Sequence, residues 1–416
     1  MKSKQLKFMA VLVTLVMVLS ATVCFAESER PVVKFGAIFA LSGSGADNGI
    51  QNKEGIELAV EYINANGGIE ALGADIEVVF YDNMSDVNQC KAVAERLIAE
   101  NPDVVAVTGS GGSSYVIPVL PVFEKEGIPF ITAQTAESIT NQGYQYAFQN
   151  SGQGGDFAYA QITFLDWLNT TYDLGLTKIG VIYEDTEWGI NTTNGLLRHI
   201  ESYPELEVVY NQSFPAGFSD ASTVIMGLMN SGADVVFPTC YTQDAKLVFN
   251  TMQSLKYSPV IIGGGGGFLY PTFATELGDL VDGIVSVASH SWDIAPILED
   301  PLYKNIAADF EAKYGEFPGS QAIASLDCIR ILVQAVNDAA STDRDAVRDA
   351  IRAVNMTSFT PGAQPANFNE AGWNEGTYCL IVQWKQREDG VYVTQSVYPK
   401  PISTADFVLP EAMQSK

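Results

Sequence analysis

The strongest constraint on this chain is an alternation of short apolar runs with amphipathic helical stretches, and the alternation occurs twice. "VVKFGAIF" (32–39) reads as a buried strand, after which Ile56, Ala59, Val60 and Ile63 recur at the i, i+3, i+4, i+7 spacing of one helix face. "GG" at 67–68 stops that helix. Strands at 74–82, 103–109 and 128–132 then alternate with helices at 87–100 and 115–127. The pattern restarts with a helix at 156–168 and strands at 178–185, 206–214, 233–241 and 259–264. Repeated βα units of this length demand parallel sheets covered by helices on both faces. The expectation is therefore an α/β chain of two doubly wound parallel-sheet lobes. "DVV" recurs at 103–105 and 234–236, each time entering a strand, which fits a topology shared by the two halves. Three helices (302–315, 322–340, 344–354) and two strands (378–385, 391–397) complete the reading.

The first 26 residues stand apart. Lys2, Lys4 and Lys7 precede an apolar core from Phe8 to Leu19, and Ala26 offers a small residue for cleavage before polar "ESER". Residues 1–26 read as a cleavable signal peptide, since the apolar core is short for a membrane span. A lipid anchor on Cys24 is the less favoured alternative, because Val23 and Ala21 stand where such sites want a small residue and a leucine. No later stretch is apolar enough to span a membrane, so a periplasmic location is expected. The 416 residues carry 49 acidic and 23 basic side chains, a net charge of −26, which repels nucleic acid and anionic lipid. Cys90, Cys240, Cys328 and Cys379 are widely spaced, and buried thiols and any of three disulfide pairings stay open. With His199 and His290 the only histidines and neither near a cysteine cluster, no metal site or other cofactor is expected.

In open parallel sheets, ligands bind beyond the carboxyl ends of the strands. Those ends offer hydroxyl and amide groups in the first half: Asn48 in "ALSGSGADNG", Ser113 and Ser114 in "GSGGSS", and Gln134 and Thr135 in "TAQTAES". The second half offers flat rings and backbone: Trp188 in "EDTEWG", Tyr241 in "CYTQD", then Gly265, Phe268 and Tyr270 in and after the run of five glycines. A polar lobe facing an aromatic lobe is pocket chemistry. Each side chain also has a plainer role available: Ser113 and Ser114 as helix caps, Thr135 as a loop residue, Trp188 packed under its own loop. The glycine run lacks the Lys-Ser/Thr of a phosphate-binding loop. No HExxH or G-x-S-x-G occurs, and His290 is the one base a hydrolase could use.

The phrase "EYINANGGI" (61–69), with "VVFYDN" (78–83), "VAVTGSGGSS" (105–114), "EKEGIPFITAQTAESIT" (124–140) and "FPAGFSD" (214–220), resembles the type I periplasmic substrate-binding proteins of ABC transporters, the leucine/isoleucine/valine-binding group. The resemblance implies two lobes joined by three crossover segments, near 148–150, 281–285 and 357–363. The lobes would then be 27–149 with 284–359, and 150–283 with 360–416. It implies a non-enzymatic, usually monomeric protein that captures a small-molecule ligand by cleft closure and delivers it to ABC permease subunits. An amino acid, branched-chain or other, is the favoured ligand; a non-amino-acid solute or service to a separate receptor are the alternatives. Ser113 matches the family's ligand-carboxylate serine and Thr135 its threonine in the next loop, Trp188 and Tyr241 its second-lobe aromatics. The departure lies after "VIIG", where amino-acid binders carry the acid that pairs with the ligand's ammonium group. Here that place, around Gly265, is glycine, so Asp293, Asp185 or Glu187 must supply the charge or the ligand carries no ammonium.

Overall fold

The computed structural model describes residues 30–297, 303–359, 365–410 and 413; the expected signal peptide at 1–26 lies outside them. The first sheet is built from β1 (Val32–Phe39), β2 (Asp75–Asp82), β3 (Ala106–Gly109), β4 (Phe130–Thr132) and β5 (Ala147–Gln149). All are parallel, in the order β2-β1-β3-β4-β5. Between them run α1 (Ala46–Ala65), α2 (Val87–Glu100), α3 (Ser113–Val116) and α4 (Leu120–Glu126). β1 is buried along nearly its whole length, as a strand covered on both faces must be.

After α5 (Gly154–Tyr172) the second sheet opens with β6 (Lys178–Glu184), α6 (Glu187–Ile200), β7 (Glu207–Phe214), α7 (Ser222–Ser231), β8 (Val235–Thr239) and α8 (Thr242–Ser254). β9 (Val260–Gly263), α9 (Pro271–Leu277) and β10 (Val285–Ala288) follow. Its parallel part has the order β7-β6-β8-β9-β10, the same winding as the first sheet. The repeated "DVV" thus does enter corresponding strands, β3 and β8. The chain then returns through α10 (Ile306–Tyr314), α11 (Ser320–Ala339) and α12 (Arg344–Ala353) to the first core, where Ile306, Ile323 and Val347 pack with Phe35 and Ile56. β11 (Leu380–Gln386) and β12 (Tyr392–Tyr398) close the second sheet as antiparallel strands.

Two crossings differ from the expected boundaries. β10 is hydrogen-bonded into the second sheet, and Ile294 still packs there, so the chain leaves that core after 294 and not at 281–285. Near the third expected crossing, residues 360–364 lie outside the described residues. Ala366 and Phe368 nevertheless belong to the first core, and Trp373 forms a bridge with Gln149 of β5. Both misplacements have one cause: a four-residue strand and a bridged loop carry too little periodicity to be assigned to a sheet. Where the chain crosses, Ser151 donates to Ser289 (3.1 Å) and Asn150 donates to Asp327 (3.0 Å). Asn374 donates to Asn150 at 2.8 Å.

Candidate functional site

A narrow cavity, closed down to about 20 Å³, lies between the strand ends of the two sheets. Asn48, Gln134, Thr135, Ser320 and Gln321 line it from the first core, and Phe157, Trp188, Tyr241, Gly266, Leu269 and Tyr270 from the second. Ser289 completes the lining beside the crossing. Hydroxyl and amide groups therefore stand on one side and rings on the other. A larger depression, about 670 Å³, lies between α2 and α4 among Lys91, Glu95 and Lys125.

Local structure fixes each group. Asn48, in the first turn of α1, donates to the Gly111 carbonyl at 2.6 Å, tying the helix start to the loop after β3. Gln134 reaches Gln321 of α11 at 3.4 Å. The Thr135 hydroxyl is buried, at 7% exposure, and has no hydrogen-bond partner among the described residues. Trp188 follows Thr186, whose hydroxyl caps α6 by accepting from the Gly189 N–H at 3.2 Å. Its ring lies against that of Tyr241, centroids 4.9 Å apart and tilted by 48°. Burial pushes the Tyr241 and Tyr270 phenols up, so both stay neutral hydrogen-bonding groups.

Five of the nine expected site residues line the cavity: Asn48, Gln134, Thr135, Trp188 and Tyr241. The other four do not. Ser113 is buried and accepts from the Ala136 N–H at 3.2 Å, which locks two loops of one lobe together. Ser114 accepts from the Glu187 N–H at 3.2 Å, a contact between lobes. Phe268 is a core side chain packed on Phe273, with its carbonyl accepting from Trp384 Nε1 at 2.8 Å. Gly265 donates its N–H to Ser286 and faces Phe157 and Val287, leaving its neighbour Gly266 to meet the cavity. A Cβ at Gly266 would stand 2.2 Å from the Trp188 ring, and one at Gly267 would stand 2.4 Å from the Tyr241 carbonyl carbon. The glycine run is thus a seat for Trp188 and for the start of α8.

None of the three acids named as replacements for the missing one lines the cavity. Asp293 accepts from the hydroxyls of Ser291, Ser396 and Thr404 and from the Ser396 N–H. Glu187 accepts from Ser138 (2.6 Å) and Asn191 (3.0 Å), and Asp185 is exposed. His290 does not line the cavity either. Its imidazole is fully buried at the crossing, its Nε2 stands 3.9 Å from Asp327, and burial lowers its pKa to about 4.

Phe157, Leu269, Ser320 and Gln321 were not among the expected site residues, nor was Ser289, although the stretch it opens, 289–293, follows a strand. Phe157 sits in the first turn of α5, beyond the crossing that follows β5, and the Ser320–Gln321 pair starts α11, which follows a helix. The four described cysteines are free and buried.

A family model described as "Periplasmic binding protein" matches residues 32–390. The Leu/Ile/Val-binding protein homolog 8 of Brucella abortus is 30% identical over 387 residues, covering 90% of this chain and 92% of that protein. Among solved structures, LivJ of Streptococcus pneumoniae in complex with isoleucine is 22% identical with a TM-score of 0.73, over 88% of this chain and 100% of that one. An ABC-transporter solute-binding protein of Rhodopseudomonas palustris in complex with 3,4-dihydroxybenzoic acid is 18% identical with a TM-score of 0.74, over 88% and 96%.

Proposed function

The chain belongs to the periplasmic binding protein family, and we propose that it captures one small solute between its lobes and delivers it to the permease of an ABC transporter. The observation that carries this reading is the cavity between the ends of two identically wound sheets, with polar groups on one wall and rings on the other. The lobes close over the solute. Glu187, Asn191 and Arg198 of α6 meet Ser138, the Glu137 N–H and the Glu137 carboxylate of the first lobe at 2.6, 3.3 and 2.7 Å. The protein performs no chemistry on its ligand, acts as a monomer, and reaches the periplasm through cleavage of residues 1–26. Cavity residues Asn48, Gln134, Thr135, Trp188 and Tyr241 hold the solute, with Ser113 and Ser114 supporting the loop and its closure.

The names of its relatives bring a branched-chain or other amino acid in as the first class to test. A second reading, a non-amino-acid solute for the same uptake, is favoured by the glycine where an acid would pair with an ammonium group. Mass spectrometry of solute co-purifying with the protein, followed by calorimetry with the compound found, tests the function. Recovery of no compound, together with no heat from any candidate, defeats it; turnover of the compound, lost in His290→Ala, would make the protein an enzyme instead.

A further inference from the structure

Resting on that solute-binding reading, we infer that the space on the far side of Tyr241 is a cation subsite, which takes an ammonium group of the captured solute between the carboxyl groups of Glu184 and Asp244.

Beyond Tyr241 lies a second small space between the lobes, about 50 Å³, room for one ammonium head and too little for a ring. Ser44, Gly111 and Tyr115 border it from the first lobe, and Glu184, Tyr241 and Asp244 from the second. Tyr241 also lines the main cavity, so one ring is a wall common to both spaces. A solute seated against Trp188 and Tyr241 reaches the two acids by an arm passing that ring. The acids stand on other elements than the glycine run after β9: Glu184 ends β6, and Asp244 lies in the first turn of α8.

Glu184 is fully buried. One of its carboxylate oxygens accepts from the Tyr241 N–H at 2.5 Å, while the other, Oε2, has no donor among the described residues. Asp244, 4% exposed, accepts from the Gly217 N–H at 2.8 Å and brings a like charge to Glu184 instead of a counter-charge. No Lys, Arg or His side chain borders the space. The other titratable groups around the pair are Asp185, Cys240, Tyr115 and Tyr241, and burial pushes the thiol and both phenols up, so these stay neutral. A buried carboxyl pair without a cation keeps a proton. Burial first, and the Asp244 charge after it, raise the Glu184 pKa to about 8. An ammonium group supplies the missing donor, takes the place of that proton and lies against the Tyr241 ring.

Matched compounds test the subsite, each with and without its amine: leucine and 4-methylpentanoate, phenylalanine and 3-phenylpropanoate, 3-methylbutylamine and 3-methylbutanol. Any solute that co-purifies with the full chain joins them. Calorimetry at pH 7, in two buffers of different ionisation enthalpy, reads affinity and proton release together. The expected result is an amine that binds at least about a hundredfold tighter than its partner and releases close to one proton, the one displaced from Glu184. Its affinity should rise between pH 6 and pH 8 for the same reason. Glu184→Gln, which keeps the shape, should weaken binding about tenfold or more and abolish the release. Equal binding by both members of a pair, a co-purifying solute without an amine, or a bound amine that releases no proton from the unaltered protein overturns the inference and leaves solute binding standing. So does an amine whose affinity Glu184→Gln leaves unchanged. Heat from none of the compounds, with no co-purifying solute, defeats the solute-binding reading, and the inference falls with it.

Discussion

At Gly266 two demands coincide, a backbone φ of +50° and a neighbour, the Trp188 ring, that leaves no space for a Cβ. Gly266→Ala must move the indole, and we expect it to weaken solute binding about tenfold, as a lost ring face does. Trp188→Ala and Tyr241→Ala are expected to cost at least as much in calorimetry. Unchanged affinity in all three would take the rings out of the site. Glu184 and His290 contribute to the pH dependence of stability with opposite signs. Burial first, and the Asp244 and Asp185 charges after it, raise the Glu184 pKa above the usual carboxylate range. The folded chain then holds a proton that the unfolded chain has released, so this stability is present in acid and is lost as pH rises through the raised value. His290 works oppositely: its pKa falls from 6.5 to about 4, so its contribution is full above 6.5 and is lost as pH falls towards 4. Glu184→Gln is expected to reduce the drop in melting temperature between pH 5 and pH 8, with Glu54, whose pKa burial and the Glu316 charge raise to about 7, supplying another part. A drop of the same size in the variant would place its origin elsewhere.

At the scale of elements, α1 shows how closely the first core is packed. A Cβ on Gly55 would lie 2.0 Å from the Ala322 carbonyl oxygen of α11, a backbone atom that cannot swing aside. Gly55→Ala gains about 1 kcal/mol of helix propensity but forces these helices apart. A net loss of about 2 kcal/mol is expected in denaturant titration; a more stable variant would mean that α1 and α11 slide freely. Every long element was legible in the sequence, because β1, α1 and α11 are long enough for their periodicity to show. The loops after parallel strands were legible too, since winding direction alone sends them to the cleft. The sheet that β10 joins and the place of the 365–374 segment were not, since β10 is held by β9 and β11 and Trp373 by Gln149, pairings that local periodicity does not show. Phe268 was misjudged for a related reason: an aromatic after a glycine run can face cavity or core, and only the packing of Phe273 and Trp384 decides.

The whole molecule is two cores joined at a narrow waist, clasped on one side by α6. If the clasp forms as the lobes shut, solute should reduce the radius of gyration measured by small-angle X-ray scattering, and Asn191→Ala should weaken binding severalfold while leaving melting of the solute-free protein unchanged. No change in radius would mean that the cleft admits its solute without lobe motion. The two sheets also share one winding, so their loops correspond in pairs: the turn after β1, with Asn48, and the turn after β6, with Trp188; and the turn after β4 and the glycine run after β9. One member of each pair offers hydroxyl or amide groups and the other rings or bare backbone. The recognition surface is in this sense bilingual, one scaffold written in two chemical vocabularies. Loops grafted from a relative into a single half should therefore retune the polar end or the flat end of the preference independently, making the protein a natural starting point for building sensors one half at a time.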